Sequence, residues 1–174
     1  TNKIINYLKK NRFRKLDLQA VLFDMDGVIY NSMPGHQLSW DKTIQEWGLK
    51  AIPNESFLEE GKPARLMINA LFQRSLKRDA TAQEAEDFYK RKTELFFEYD
   101  SGGLIPGIKE TMEIIQNKKL NPILVTGSSQ PDLYARLNSD LPNIFKPETM
   151  ITAHDVKIGK PNPAPYLMGL KKAG

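Results

Sequence analysis

The sequence predicts an α/β protein, a doubly wound parallel-sheet core into which a block of helices is inserted. A short apolar run, Ala20-Val21-Leu22-Phe23, meets carboxylates at Asp24 and Asp26 and then Gly27, which reads as a buried strand ending in a turn. From about His36 to Tyr99 the pattern is helical throughout and offers no strand candidate. Beyond Asp100-Ser101-Gly102-Gly103, the clearest linker in the chain, helices and strands alternate, which implies parallel strands with helices on both faces. Residues 1–34 and 100–174 are therefore expected to form the core, and residues 35–99 the helical insertion.

Asn2 to Lys10 sets Ile4, Ile5 and Leu8 at helical spacing, predicting a short amphipathic helix that caps the domain. In the strand that follows, side chains alternate, so Asp24 and Asp26 share a side only while the backbone stays extended. Gly27 lets the chain turn away. Leu38, Trp40, Ile44 and Trp47 recur loosely at helical spacing between Gly35 and Trp47, and Gly48 stops that helix. Pro53-Asn54-Glu55 opens a short segment, which Gly61-Lys62-Pro63 breaks. Pro63 suits the first turn of a helix carrying Leu66, Met67, Ala70 and Leu71. Thr81-Ala82-Gln83-Glu84 reads as a capping box ahead of a helix with Phe88, Leu95 and Phe96. Past the linker, Ile105-Pro106-Gly107 opens a helix with Ile108, Met112 and Ile115, and Leu120 to Val125 is a buried strand. Gln130-Pro131 starts a helix through Leu133 and Leu137, Met150-Ile151-Thr152 is a short strand, and Pro163 begins a final helix ending at Gly174.

With 174 residues, 40% hydrophobic and 26% charged, the chain has the make-up of one well-buried globular domain, or a core plus a small insertion. The net charge of +4 is modest. Much of it lies in Lys9, Lys10, Arg12, Arg14 and Lys15, a cluster without an interleaved aromatic platform, so a solvated helix end is expected and a nucleic-acid partner is not. The absence of cysteine excludes disulfides and thiolate metal sites and fits a reducing compartment. No apolar run is long enough to span a membrane and no secretory pattern is present, so no membrane partner and a cytoplasmic location are expected.

Two carboxylates as close as Asp24 and Asp26 repel each other unless a cation sits beside them. Mg²⁺, a hard ion that takes oxygen ligands, is the natural candidate. With the charge screened, one aspartate can attack phosphorus while the other moves a proton; by spacing alone, the same residues equally serve a strand-end turn. Pro122-Ile123-Leu124-Val125-Thr126-Gly127-Ser128-Ser129 is a second apolar strand ending in small donors. Hydroxyl and backbone N–H groups there suit a phosphate, or else form a plain loop with serine as helix cap. In Ile158-Gly159-Lys160-Pro161-Asn162-Pro163, two prolines fix the backbone around Lys160, as a charge clamp requires, although a loop lysine in isolation is usually just solvated.

Phe23-Asp24-Met25-Asp26-Gly27-Val28 resembles the first motif of the haloacid dehalogenase (HAD) superfamily of phosphotransferases. The continuation from Ile29 to His36 resembles its β-phosphoglucomutase-like branch, with Asn31 where many relatives carry Asp. Thr126-Gly127-Ser128 resembles the second motif, and Gly159-Lys160-Pro161-Asn162-Pro163 the third. The resemblance implies a HAD-like, Rossmann-type core with a helical cap, acting on a small phosphorylated sugar with Mg²⁺. It makes Asp24 the nucleophile that forms an aspartyl-phosphate and Asp26 the general acid/base. Thr126 would hold a phosphoryl oxygen, with Gly127 and Ser128 completing the cradle, and Lys160 would neutralise nucleophile and phosphate. Mg²⁺ would take the side chain of Asp24 and the main-chain carbonyl of Asp26.

His36 and Trp40, at i and i+4, read by themselves as packed helix neighbours, whereas the resemblance places His36 at the hinge, positioning Asp26, and makes both candidates for the substrate side. Gly61-Lys62-Pro63-Ala64-Arg65 resembles the cap's substrate loop. The mutases carry a phosphate-binding arginine where this chain has Ala64, which leaves Lys62 and Arg65 as candidates and tilts the expectation from mutase toward phosphatase, with both open. The family's fourth motif, an acidic residue after a further strand, has no counterpart before Gly174, because Glu148 and Asp155 precede Lys160. A truncated chain of low activity is expected on that ground, with non-catalytic phosphate binding as the alternative and a monomer expected of the complete protein.

Overall fold

The computed structural model describes residues 2–58, 62–99, 102–128 and 133–174. Helix α1 (Asn2–Lys10) forms where the spacing predicts it, but none of its residues is buried, and Ile4 and Ile5 are exposed. It therefore does not cap the domain through its apolar face as expected. Strand β1 (Ala20–Phe23) leads to the helical block: α2 (Met33–Glu46), α3 (Glu55–Leu58), α4 (Ala64–Leu76) and α5 (Ala82–Tyr99). Then come α6 (Ile108–Asn117), β2 (Asn121–Val125), α7 (Leu133–Asp140), a 3₁₀ turn at Pro147–Thr149, β3 (Met150–Ile151) and α8 (Ala164–Ala173). Helix α2 starts two residues before Gly35, with Pro34 in its first turn. The expected helix start at Gln130-Pro131, the Asp100-Ser101 part of the linker and Gly61 lie outside the described residues. Among the described residues, no helix is long and apolar enough to cross a membrane.

The three strands are parallel in the order β1-β2-β3, with Phe23 beside Leu124 and Leu124 beside Met150. Because side chains alternate along a strand, β2 feeds two apolar layers. Leu124 faces Phe23, Met150, Met112, Ile115, Leu133 and Leu137, the side of α6 and α7. Ile123 and Val125 join Ile151, Leu22 and Met168, the side of α8. Both faces of the sheet are thus covered, the usual condition of a parallel sheet.

The helical block has an apolar centre of its own, built from Trp40, Ile44, Met67, Ile68, Leu71, Phe72, Ala85 and Phe88. Leu66, placed by its spacing on the apolar face of α4, is exposed instead. Gly48 takes a φ of +62° just after α2, the left-handed geometry that ends the helix. At α5 the reciprocal cap forms: the Glu84 N–H donates to Thr81 Oγ1 at 3.2 Å, and the Thr81 N–H donates to Glu84 Oε2 at 2.8 Å.

Candidate active site

Parallel strands bring all their C-terminal ends to one edge, and the segments carrying the sequence-predicted residues meet there. Pairing of β1 stops at Phe23, so extended backbone does not run through both aspartates. The chain turns instead, with the Met25 carbonyl accepting from the N–H groups of Val28, Ile29 and Tyr30 at 3.3, 2.9 and 3.1 Å, and Gly27 at a φ of +72°. Asp24 and Asp26 nonetheless line one cavity of about 560 Å³, roofed by α2, α4 and α5.

Lys160 Nζ lies 2.6 Å from Asp24 Oδ1, an oxygen that also accepts the Met25 N–H at 2.8 Å, and the same ammonium donates to the Val125 carbonyl at 3.0 Å. Two donors therefore hold one oxygen of Asp24, while among the described residues Oδ2 has no hydrogen-bond partner. Asp26 Oδ1 accepts from Ser32 Oγ at 2.6 Å and lies 3.3 Å from His36 Nε2. Burial alone would raise the pKa of Asp26, but the hydrogen bonds from His36 and Ser32 and the nearby charge of Lys92 outweigh it and hold the carboxyl below its usual range. Thr126, 2% exposed, accepts the Ser128 N–H on Oγ1 at 3.0 Å, which leaves its own hydroxyl hydrogen to donate; Thr126, Gly127 and Ser128 all line the cavity.

On the helical side, His36, Trp40 and Lys62 line the cavity, together with Ala64. Arg65 does not. Its guanidinium is held by the carbonyls of Ala80 at 2.7 Å and Thr81 at 3.2 Å, so it braces the α4–α5 connection outside the cavity lining. Sequence reasoning missed Lys92, whose Nζ is 2.8 Å from His36 Nδ1 and 4.9 Å from the centre of the Phe96 ring. A signal was present, because Lys92 shares the buried face of α5 with Ala85, Phe88, Leu95 and Phe96, where a solvated lysine has no place. Lys157, also unforeseen, lines the cavity from the loop before Lys160. Among the described residues, four lysines (62, 92, 157 and 160) and two aspartates line it, an excess of positive charge suited to an anion.

Among the described residues, no three histidine, aspartate or glutamate side chains converge as a metal site. The oxygen donors present still suit Mg²⁺, which commonly takes one or two protein oxygens and completes its shell with water and phosphate. Asp24 offers its carboxylate, and the Asp26 carbonyl accepts no backbone hydrogen bond among the described residues.

A family model described as a haloacid dehalogenase-like hydrolase matches residues 18–174. A phosphorylated carbohydrates phosphatase of Thermotoga maritima is 26% identical over 156 residues, covering 89% of this chain and 70% of the relative. Hexitol phosphatase A of Escherichia coli is 26% identical over 156 residues, covering 90% and 69%. The solved structure of a candidate β-phosphoglucomutase from Bacteroides vulgatus superposes with a TM-score of 0.88 at 42% identity, over 99% of this chain and 70% of the other.

Proposed function

The chain belongs to the haloacid dehalogenase-like hydrolases, and from that premise we propose that it transfers the phosphoryl group of a phosphorylated sugar through Asp24, with water as the final acceptor. The observation that carries this reading is the Asp24–Lys160 pair at 2.6 Å, set in a cavity where, among the described residues, lysines outnumber aspartates. In the first step Asp24 Oδ2 attacks phosphorus and the bond from phosphorus to the sugar oxygen breaks. The incoming phosphate dianion opposes the ionisation of Asp26, and the carboxyl so protonated gives its proton to that oxygen. In the second step water attacks the aspartyl-phosphate and gives its proton to Asp26, and the bond from phosphorus to Asp24 breaks to release phosphate. Lys160 and the Thr126 hydroxyl offset charge on the phosphoryl oxygens. Mg²⁺, held by the Asp24 carboxylate and the Asp26 carbonyl, would add further charge neutralisation. Residues 35–99 serve as a cap that keeps bulk water out and supplies Trp40, Lys62 and His36 to the sugar side.

A second reading, transfer to a hydroxyl of a hexose phosphate, draws support from the likeness to the candidate mutase of Bacteroides vulgatus. Water is favoured because Ala64 lines the cavity where the mutases place a phosphate-binding arginine, and Arg65 is turned away. The test is a panel of sugar phosphates, glucose 1-phosphate with a trace of bisphosphate included, assayed for both inorganic phosphate and isomerised sugar. Phosphate release is expected; isomer without phosphate release would reverse the preference.

A further inference from the structure

Resting on that reading, we propose that Arg136 and Asp140 on α7 are positioning residues that seat the hinge between core and cap, and with it the turn that carries Asp26. The chain passes between the two parts at Ile29–Ser32 and again at Gly102–Ile105, and these passages are zipped together. The Asn31 N–H donates to the Gly103 carbonyl at 3.0 Å and the Ile105 N–H to the Ile29 carbonyl at 2.9 Å, with Tyr30 and Leu104 as antiparallel partners. Tyr30 is also tied to the catalytic turn. Its N–H donates to the Met25 carbonyl at 3.1 Å, and its carbonyl accepts the Gly27 N–H at 2.9 Å. Whatever fixes Tyr30 therefore fixes both passages and the peptide units on either side of Asp26.

Helix α7 makes those contacts. The Tyr30 hydroxyl donates to Asp140 Oδ2 at 2.8 Å, and the Arg136 guanidinium lies 4.1 Å from the centre of the Tyr30 ring. Arg136 Nη2 also donates to the Gly102 carbonyl at 2.9 Å, so one side chain touches the outgoing passage and the returning one. Arg136 and Asp140 stand at i and i+4, one turn apart on one face of the helix. Tyr30 is 1% exposed. Burial, followed by its bond to the Asp140 carboxylate, pushes its phenol well above the usual range, so it stays protonated and keeps donating.

The test is native-state hydrogen exchange, together with steady-state kinetics, on the full chain carrying Arg136→Met or Tyr30→Phe; the second keeps the ring and folds even if the first does not. Exchange at the Asn31 and Ile105 amides should rise about tenfold, the worth of one lost hydrogen bond, with Ile123 and Leu124 in β2 unchanged. In parallel, kcat/KM for a sugar phosphate should fall while that for a small aryl phosphate holds. Unchanged exchange at Asn31 and Ile105, or an equal rise throughout β2, would overturn the proposal. Because exchange is read without turnover, a selective rise in a protein inactive toward every phosphate would keep the hinge assignment and remove the phosphoryl-transfer reading.

Discussion

Lys92 on α5 places its ammonium 2.8 Å from Nδ1 of His36 on α2. An ammonium only donates, so Nδ1 must accept and the ring proton resides on Nε2, the nitrogen that faces Asp26 Oδ1 at 3.3 Å. Helix α5 thereby sets the tautomer of a histidine that hydrogen-bonds the proposed acid/base. His36 also stacks on Phe96 at a centroid distance of 4.2 Å, which fixes the plane of its ring.

Lys92→Met removes the nearby charge that helps hold the Asp26 carboxyl down and frees the histidine to change tautomer. The Asp26 pKa should rise in the metal-free protein, followed by carboxyl carbon NMR, and kcat should fall by about tenfold or more. An unmoved Asp26 titration would separate Lys92 from the acid/base.

Lys62 lines the cavity on its helical side, where the proposed sugar would sit. Lys62→Ala should raise KM for sugar phosphates more than for a small aryl phosphate, which reaches Asp24 without contacting the cap. Equal effects on the two substrates, in parallel initial-rate assays, would remove Lys62 from sugar recognition.

Gly169 sits in the middle of α8, where a Cβ would come 3.0 Å from Leu22 Cδ2 and 3.1 Å from Val125 Cγ2. Alanine adds helix propensity worth about 1 kcal/mol, but overpacking against two branched strand side chains costs about 1–3 kcal/mol. Packing wins, so Gly169→Ala should lower stability by about 1 kcal/mol in urea unfolding.

Glu84 closes the cap of α5 and pairs with Arg78 at 2.7 Å. Its pKa is lowered to about 2, chiefly by the hydrogen bond from Arg78 and then by that from the Thr81 N–H. A depressed carboxyl contributes stability above its unfolded value of 4.5, and the contribution is lost as pH falls from there through about 2. Thermal unfolding of wild type and Glu84→Gln should therefore differ most above pH 4.5 and converge near pH 2.

The motifs were legible because they are local. Strand, carboxylates and glycine are contiguous at Phe23–Gly27, and the Thr81/Glu84 cap spans one helical turn. Lys160 is equally legible as a rigid loop lysine, although its 2.6 Å contact with Asp24 joins segments far apart in sequence. What stayed hidden depends on tertiary approach. Lys92 stands beside the exposed Lys90 and the half-buried Arg91, so by composition it looks like part of a solvated charged run. Arg136 and Tyr30 are distant in sequence and carry no shared pattern. Arg65 has the right charge and almost the right position, and only the fold sends it to the carbonyls of Ala80 and Thr81. Helix α1 has the spacing of a packed helix, yet nothing in that spacing supplies a surface for it to pack on.

The central claim is that Asp24 receives the phosphoryl group. The direct measurement is to mix the protein with a turned-over sugar phosphate and Mg²⁺, quench in acid and map the phosphoryl adduct by peptide mass spectrometry. An adduct on Asp24, lost together with turnover in a folded Asp24→Asn protein, is the predicted result. Turnover with the adduct on another residue, or an Asp24→Asn protein that keeps releasing phosphate at the wild-type rate, would contradict it.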